Sequence, residues 1–231
     1  MLKISSIKNE SETTLSFSFE KDCCGELALE ISLFAEFLRE RSLGGEVIEI
    51  VACFASLFVE FDVLKINSEE LVREIQSNLS EFRLLESSEE ERELLELPVY
   101  YHPEVAPDLE WLASEKNMTV DEVVRIHNEG IYVVSSLGFA PGFAYLSGLD
   151  SRLAVPRFDA PERVARGSLG IAEEQTAVYP NESPGGWVIL GNCPVTLFDV
   201  DASPITPFKV GMKVRFVAIS RGKFLAEGGE L

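Results

Sequence analysis

From Ile131 onward the sequence is broken into short apolar runs, at residues 131–134, 167–172, 187–190, 195–198 and 213–218, separated by clusters of glycine, proline, asparagine and serine. Runs this short suit strands better than helices, and turn signals recurring between them are the pattern of a β-barrel or sandwich. The second half of the chain is therefore expected to be mainly β.

The first half reads differently. Residues 13–19, TTLSFSF, alternate polar and apolar side chains at period two, as a half-buried strand does. Leu27, Ile31, Phe34 and Leu38 then recur at steps of four and three, one apolar stripe on a helix that Gly44-Gly45 stops. Residues 47–52 and 56–61 read as two strands, and Asn67 with Glu70 fits a capping box opening a second helix through Leu71, Ile75 and Leu79. The acidic run ESSEEERE at 86–93 has no apolar face and reads as a connector. The expected organisation is a small α+β domain over 1–85, an acidic linker over 86–96 and a mainly β domain over 97–231. That last part should open with a strand at 97–101. Two short helices follow, one capped by Asp108, the other by Thr119 with Glu122 and carrying Val123, Val124 and His127.

Charge narrows the partners. The net charge of −19, from 39 acidic and 20 basic residues, opposes nucleic acid and acidic membrane surfaces. Cys23, Cys24, Cys53 and Cys193 lack the spacing of a metal or redox motif and are expected to be reduced thiols. The first residues do not resemble a signal peptide, and no apolar run is long enough to span a bilayer, so a cytoplasmic protein is expected. Two histidines far apart in sequence make no recognisable zinc site.

Two segments combine glycine and proline with aromatic rings: LGFAPGFAYLSGL at 137–149, and YPNESPGGW at 179–187 with Gln175-Thr176 just before it. Glycine allows sharp turns and close approach, proline restricts the chain, and the rings supply an apolar wall. Together with Pro156-Arg157, Gly167-Ser168 and Leu197-Phe198-Asp199, these segments resemble, in order and spacing, the family of 5-oxoprolinase B subunits, also called allophanate hydrolase subunit 1, which includes the sporulation-kinase inhibitor. A weaker similarity at SLFVEFD, residues 56–62, extends the resemblance over nearly the whole chain.

The resemblance implies an α+β N-terminal domain followed by a mainly β, cyclophilin-like barrel. It also implies a non-autonomous component that acts with A- and C-type subunits in ATP-dependent opening of 5-oxoproline, a small cyclic amide acid, to glutamate, and a relation to the carboxyltransferase portion of urea carboxylase. A runner-up is an inhibitor that docks on the dimerisation helices of a sensor histidine kinase. Two positions depart from the family pattern: Glu173 and Ala177 stand where glycine is usual, and a left-handed backbone at either would be strained. Tyr100-Tyr101-His102 likewise departs from the family's Cys-Tyr-Gly.

Read as chemistry, Gln175 can donate to and accept from an amide or carboxylate, or it can bond its own backbone at a strand end. Tyr179 and Trp187 flank Ser183, Gly185 and Gly186, an arrangement able to offer rings and backbone N–H groups to an anion; Trp187 can equally fill the barrel. Phe139, Pro141, Gly142 and Tyr145 can line a cleft, while Phe143 fits a core position as well. Arg157 can grip a carboxylate, whereas Arg163 suits pairing with a neighbouring acid. His127, beside Val123 and Val124, fits a structural hydrogen bond. No G-x-S-x-G nucleophile and no G-x-x-x-x-G-K-[ST] phosphate loop is present, so no catalytic residue is assigned. This chain is expected to bind no cofactor alone, with the ATP site on a partner.

Overall fold

The computed structural model describes residues 2–20, 25–41, 45–85 and 94–231. The chain falls into two compact units, residues 1–92 and 93–231.

In the first unit, strands β1 (Ile4–Asn9), β2 (Thr14–Phe19), β3 (Val47–Cys53) and β4 (Ser56–Phe61) form an antiparallel sheet in the order β1-β2-β4-β3. Helices α1 (Gly25–Glu40) and α2 (Ser68–Leu85) share its core. The predicted stripe is the buried face of α1: Leu27, Ile31, Phe34 and Leu38 are all essentially inaccessible. Asn67 Oδ1 accepts from the Glu70 N–H, and its Nδ2 donates to the Glu70 carboxylate, so the expected residues open α2. Sequence periodicity missed β1, because Ile4 and Ile7 are three apart. A register shift between Ile4 and Ser6 reconciles them, letting both side chains pack on the same core. The stop expected at Gly44 and the acidic run at 86–93 lie outside the described residues.

The second unit is a mixed α/β structure around a nearly closed, barrel-like sheet. Its strands are β5 (Leu94–Val99), β6 (Tyr132–Leu137), β7 (Ala144–Ser147), β9 (Ser168–Ala172), β10 (Gln175–Val178), β12 (Val188–Asn192) and β13 (Lys213–Ala218), in the order β12-β9-β10-β7-β6-β13-β5. The β13–β5 pair is parallel and the other pairs are antiparallel. Tyr100, following β5, bridges Asn192 at the far edge through two reciprocal backbone bonds of 2.9 Å. Gly191 permits that approach, since a Cβ there would lie 2.7 Å from Val99 Cγ1 and 2.8 Å from the Tyr100 oxygen. A separate ribbon pairs β8 (Glu162–Val164) with β11 (Ser183–Gly185).

Helices α3 (Leu109–Glu115), α4 (Val120–Glu129) and α5 (Arg221–Ala226) complete the unit. Thr119 and Glu122 form the full capping box at the start of α4. Asp108 precedes α3 but makes no side-chain cap; its carboxylate accepts from the Ile189 N–H at 2.8 Å and ties the helix to β12 instead.

Three further expectations are corrected. The strand placed at 97–101 begins at Leu94, because parallel pairing with β13 extends it. Helical structure returns at α5, where Ser220 accepts from the Lys223 N–H and Phe224 is buried. Residues 195–198 are not a strand: the run is apolar because Leu197 is buried, and its backbone lies against Gly142 rather than in a ladder. Continuous apolar runs report burial and leave conformation open.

Candidate functional site

The loop between β6 and β7 turns through residues 138–143, closed by Phe143 N–H to the Ala140 oxygen at 3.0 Å. Gly142 has φ +81°, and a Cβ on it would lie 2.6 Å from the Leu197 oxygen, so this glycine is required both for the turn and for the packing behind it. Phe139 is held at φ +70°, uncommon for a bulky residue, and is 60 % exposed. Its ring nevertheless meets Phe143 edge to face at 5.0 Å and Tyr179 at 6.1 Å.

Phe143 is the centre of the arrangement. Buried at 2 % exposure, it contacts Phe139, Tyr145 at 4.9 Å, Tyr179 at 5.4 Å and Trp187 at 5.9 Å, mostly edge to face. Tyr145 and Trp187 also meet, at 6.0 Å. The two aromatic and glycine-rich segments, distant along the chain, thus converge on one ring. Tyr179 is buried rather than presented. Burial pushes its pKa up to about 12, partly offset by the nearby Trp187 backbone N–H. Gly185 is packed on the Tyr179 hydroxyl, where a Cβ would lie 2.4 Å away, and a Cβ on Gly186 would meet the Phe158 oxygen at 2.7 Å.

Gln175 opens β10, half-buried, and is paired with Ser147 of β7 and Ala172 of β9. Paired residues share a face and faces alternate along a strand, so Gln175, Ser147 and Tyr145 look to one side and Thr176 to the other. The Gln175 side chain makes no hydrogen bond with a described residue, which removes the strand-end alternative. Ser147 is bonded to Ser135, whose strand is bulged between Val134 and Ser136. Neither serine was singled out by sequence; a buried serine pair carries no local signal.

Thr176 belongs to a buried chain of hydrogen bonds. Its hydroxyl donates to the Gly170 oxygen at 3.0 Å and faces His127 Nε2 at 3.1 Å; His127 Nδ1 faces the Tyr101 hydroxyl at 2.9 Å. With the threonine proton committed to Gly170, Nε2 carries the imidazole proton and Nδ1 accepts from Tyr101. Burial lowers the His127 pKa to about 3, leaving the ring neutral among Tyr132 and Phe216. This histidine is structural.

The remaining expected residues are more scattered. Arg157 is exposed and makes no hydrogen bond or ion pair with a described residue, and Arg163 pairs with Glu182 at 2.5 Å. Ser183 lies on β11 with its Oγ buried and no partner among the described residues. A depression of about 410 Å³ is lined by Leu137, Phe139, Pro141, Gly142, Phe143 and Thr206, among others. Thr206 closes its other side. Phe139, Pro141 and Gly142 line it; Tyr145, Gln175, Tyr179 and Trp187 do not.

Glu173, the first residue of the β9–β10 turn, has φ +52°, the strained conformation that glycine would relieve; Ala177 lies in β10, fully buried, with no positive φ. Burial also raises the Cys193 thiol to about 11. Among the described residues, no group of His, Cys, Asp and Glu could hold a metal ion, and no helix is long and apolar enough to cross a membrane.

Comparison with known proteins places this arrangement. The family described as "Carboxyltransferase domain, subdomain C and D" matches residues 5–208. The chain is 37 % identical over 203 residues to the 5-oxoprolinase B subunit of Bacillus subtilis, covering 83 % of each. The crystal structure of TTHA0988 superposes with a TM-score of 0.76 at 26 % identity, over 90 % of this chain and 40 % of that one. Urea carboxylase of Kluyveromyces lactis shares the fold, with a TM-score of 0.73 at 16 % identity, over 95 % of this chain and 22 % of that one. The chain thus spans less than half the length of either solved protein. The match across most of the sequence and the shared architecture lead to one conclusion: the chain belongs to the family of 5-oxoprolinase B subunits, built on carboxyltransferase subdomains C and D.

Proposed function

We propose that this chain is the B-type component of an ATP-dependent 5-oxoprolinase assembly and works with A- and C-type partners on a small cyclic amide acid. The observation that carries this reading is the convergence of both motif segments on Phe143, with Gln175 and Tyr145 on one face of adjacent strands. A carboxamide can both donate to and accept from a lactam or a carboxylate, and a rigid aromatic surround limits how that group can turn. Because the sequence has no phosphate loop, this reading assigns ATP to a partner, with the present chain orienting the intermediate or stabilising its charge.

The test is reconstitution. Alone, the purified chain should show no 5-oxoproline-dependent ATP hydrolysis, and cognate A- and C-type partners should restore it. Phe139→Ala combined with Gln175→Ala should lower the restored rate at least tenfold while the partners still co-purify. Undiminished turnover in that variant would refute the site; failure of the wild-type chain to restore activity would refute its assignment to the assembly. Capture of a sensor kinase in place of those partners would favour the inhibitor reading.

A further inference from the structure

Two large rings outside the Phe143 cluster are also displayed. Trp111 on α3 is 41 % exposed and Phe158 38 %, with centroids 5.2 Å apart. Trp111 stands beside buried Leu109, Leu112 and Ala113, so the helix has apolar anchors without it. Exposed aromatic pairs are uncommon away from contact surfaces, since burying either ring would be favourable.

Their surroundings are acidic. Glu110 adjoins Trp111, Asp159 adjoins Phe158, and Glu162 lies close enough to Asp108, at the start of α3, to raise its pKa after burial has done so. The Glu110, Asp159 and Glu162 carboxylates are exposed and form no hydrogen bond or ion pair with a described residue; of the adjoining cations Arg163 is paired with Glu182, and Arg157 leaves the balance negative. The pair is also wired to the motif. Phe158 N–H donates to the Gly186 oxygen at 2.7 Å, and Glu162 is paired with Gly185.

We propose that Trp111 and Phe158, with the carboxylates around them, form a docking surface for an arginine-bearing segment of a partner protein. A guanidinium stacks flat on an indole face while its edge donates two parallel hydrogen bonds to a carboxylate; a lysine ammonium offers only the charge. An occupant there sits against Gly185 and Gly186, so docking also braces the segment packed on the Tyr179 hydroxyl.

Tryptophan fluorescence tests this. The chain has two tryptophans, so Trp187→Phe leaves Trp111 as the reporter. The probe is a capped glycine-serine nonapeptide carrying two arginines, compared with lysine and citrulline versions. Saturable quenching by the arginine peptide is expected, at least tenfold weaker with lysine and abolished with citrulline. Affinity should fall at least tenfold in a Glu110→Gln, Asp159→Asn, Glu162→Gln variant. Trp111→Ala, in an otherwise wild-type chain and read by calorimetry, should lower it as much. A matched variant, Glu12→Gln, Glu60→Gln, Glu69→Gln, controls for net charge and should bind normally. Equal loss in the two charge variants, retained affinity in Trp111→Ala with its circular dichroism unchanged, or no saturation at millimolar peptide would each overturn the proposal.

Discussion

Gln175 and Tyr145 stand on the same face of neighbouring strands, Gln175 paired with Ser147 and Tyr145 two residues back along β7. Diagonal neighbours of this kind have Cβ atoms about 7–8 Å apart, a span that a small planar acid or amide can bridge. Because the Gln175 side chain has no hydrogen bond to lose, Gln175→Ala should change stability by no more than about 0.5 kcal/mol. Thermal denaturation should show this, while the reconstituted rate falls tenfold or more.

His127 makes stability depend on pH. Its folded pKa, about 3, lies below the ordinary value of 6.5, so between those values the unfolded chain binds the proton and the folded one does not. Stability is therefore full above about pH 6.5 and is lost as pH falls toward 3, by a total of roughly 4 kcal/mol. Urea denaturation across this range should show the slope. His127→Phe should be less stable at pH 7 and follow a flatter profile.

Thr176→Val removes the acceptor for His127 Nε2 and the donor to Gly170, leaving two buried groups unpaired at a cost of about 1–3 kcal/mol. Thr176→Ser should retain most of the stability. Combined with His127→Phe, the valine substitution should cost less than the sum of the two, because the pair acts as one network.

At Glu173, the positive φ predicts a gain. Glu173→Gly should stabilise the protein by about 1 kcal/mol, as relief of the left-handed strain exceeds glycine's extra chain entropy, whereas Glu173→Ala should not. Chemical denaturation of the two variants side by side decides it.

Gly142→Ala should act in the opposite direction. The added methyl meets the Leu197 carbonyl at 2.6 Å from a backbone at φ +81°, so a loss of about 2 kcal/mol or more is expected. A shift in Trp187 emission should accompany it, since Phe143 next along the chain touches that indole.

How much of this was legible beforehand depended on whether a residue's role was local. The α1 stripe, the Asn67 and Thr119 caps and the β13 run could be read because helix period, capping chemistry and strand length are written in neighbouring residues. Strands β7 and β10 were hidden inside turn-rich segments: β10 spends Thr176 on a histidine 49 positions away, a partner no window includes. Asp108 carries the right residue for a cap, yet the Ile189 N–H claims it from another element. At the site, composition located the aromatic segments and the resemblance ordered them. Only the folded chain shows that Phe143 is their hub, that Tyr179 faces inward and that a depression beside Thr206 is lined by Phe139, Pro141 and Gly142.

The reciprocal amides of Tyr100 and Asn192 are the fastening where the curled sheet meets itself. A cylinder latched at one point can gape there without unravelling, because every other strand keeps its neighbours. The latch joins β12 to β5, and Trp187 directly precedes β12, so loosening it would let the indole's strand swing while Phe143 stays anchored in its loop.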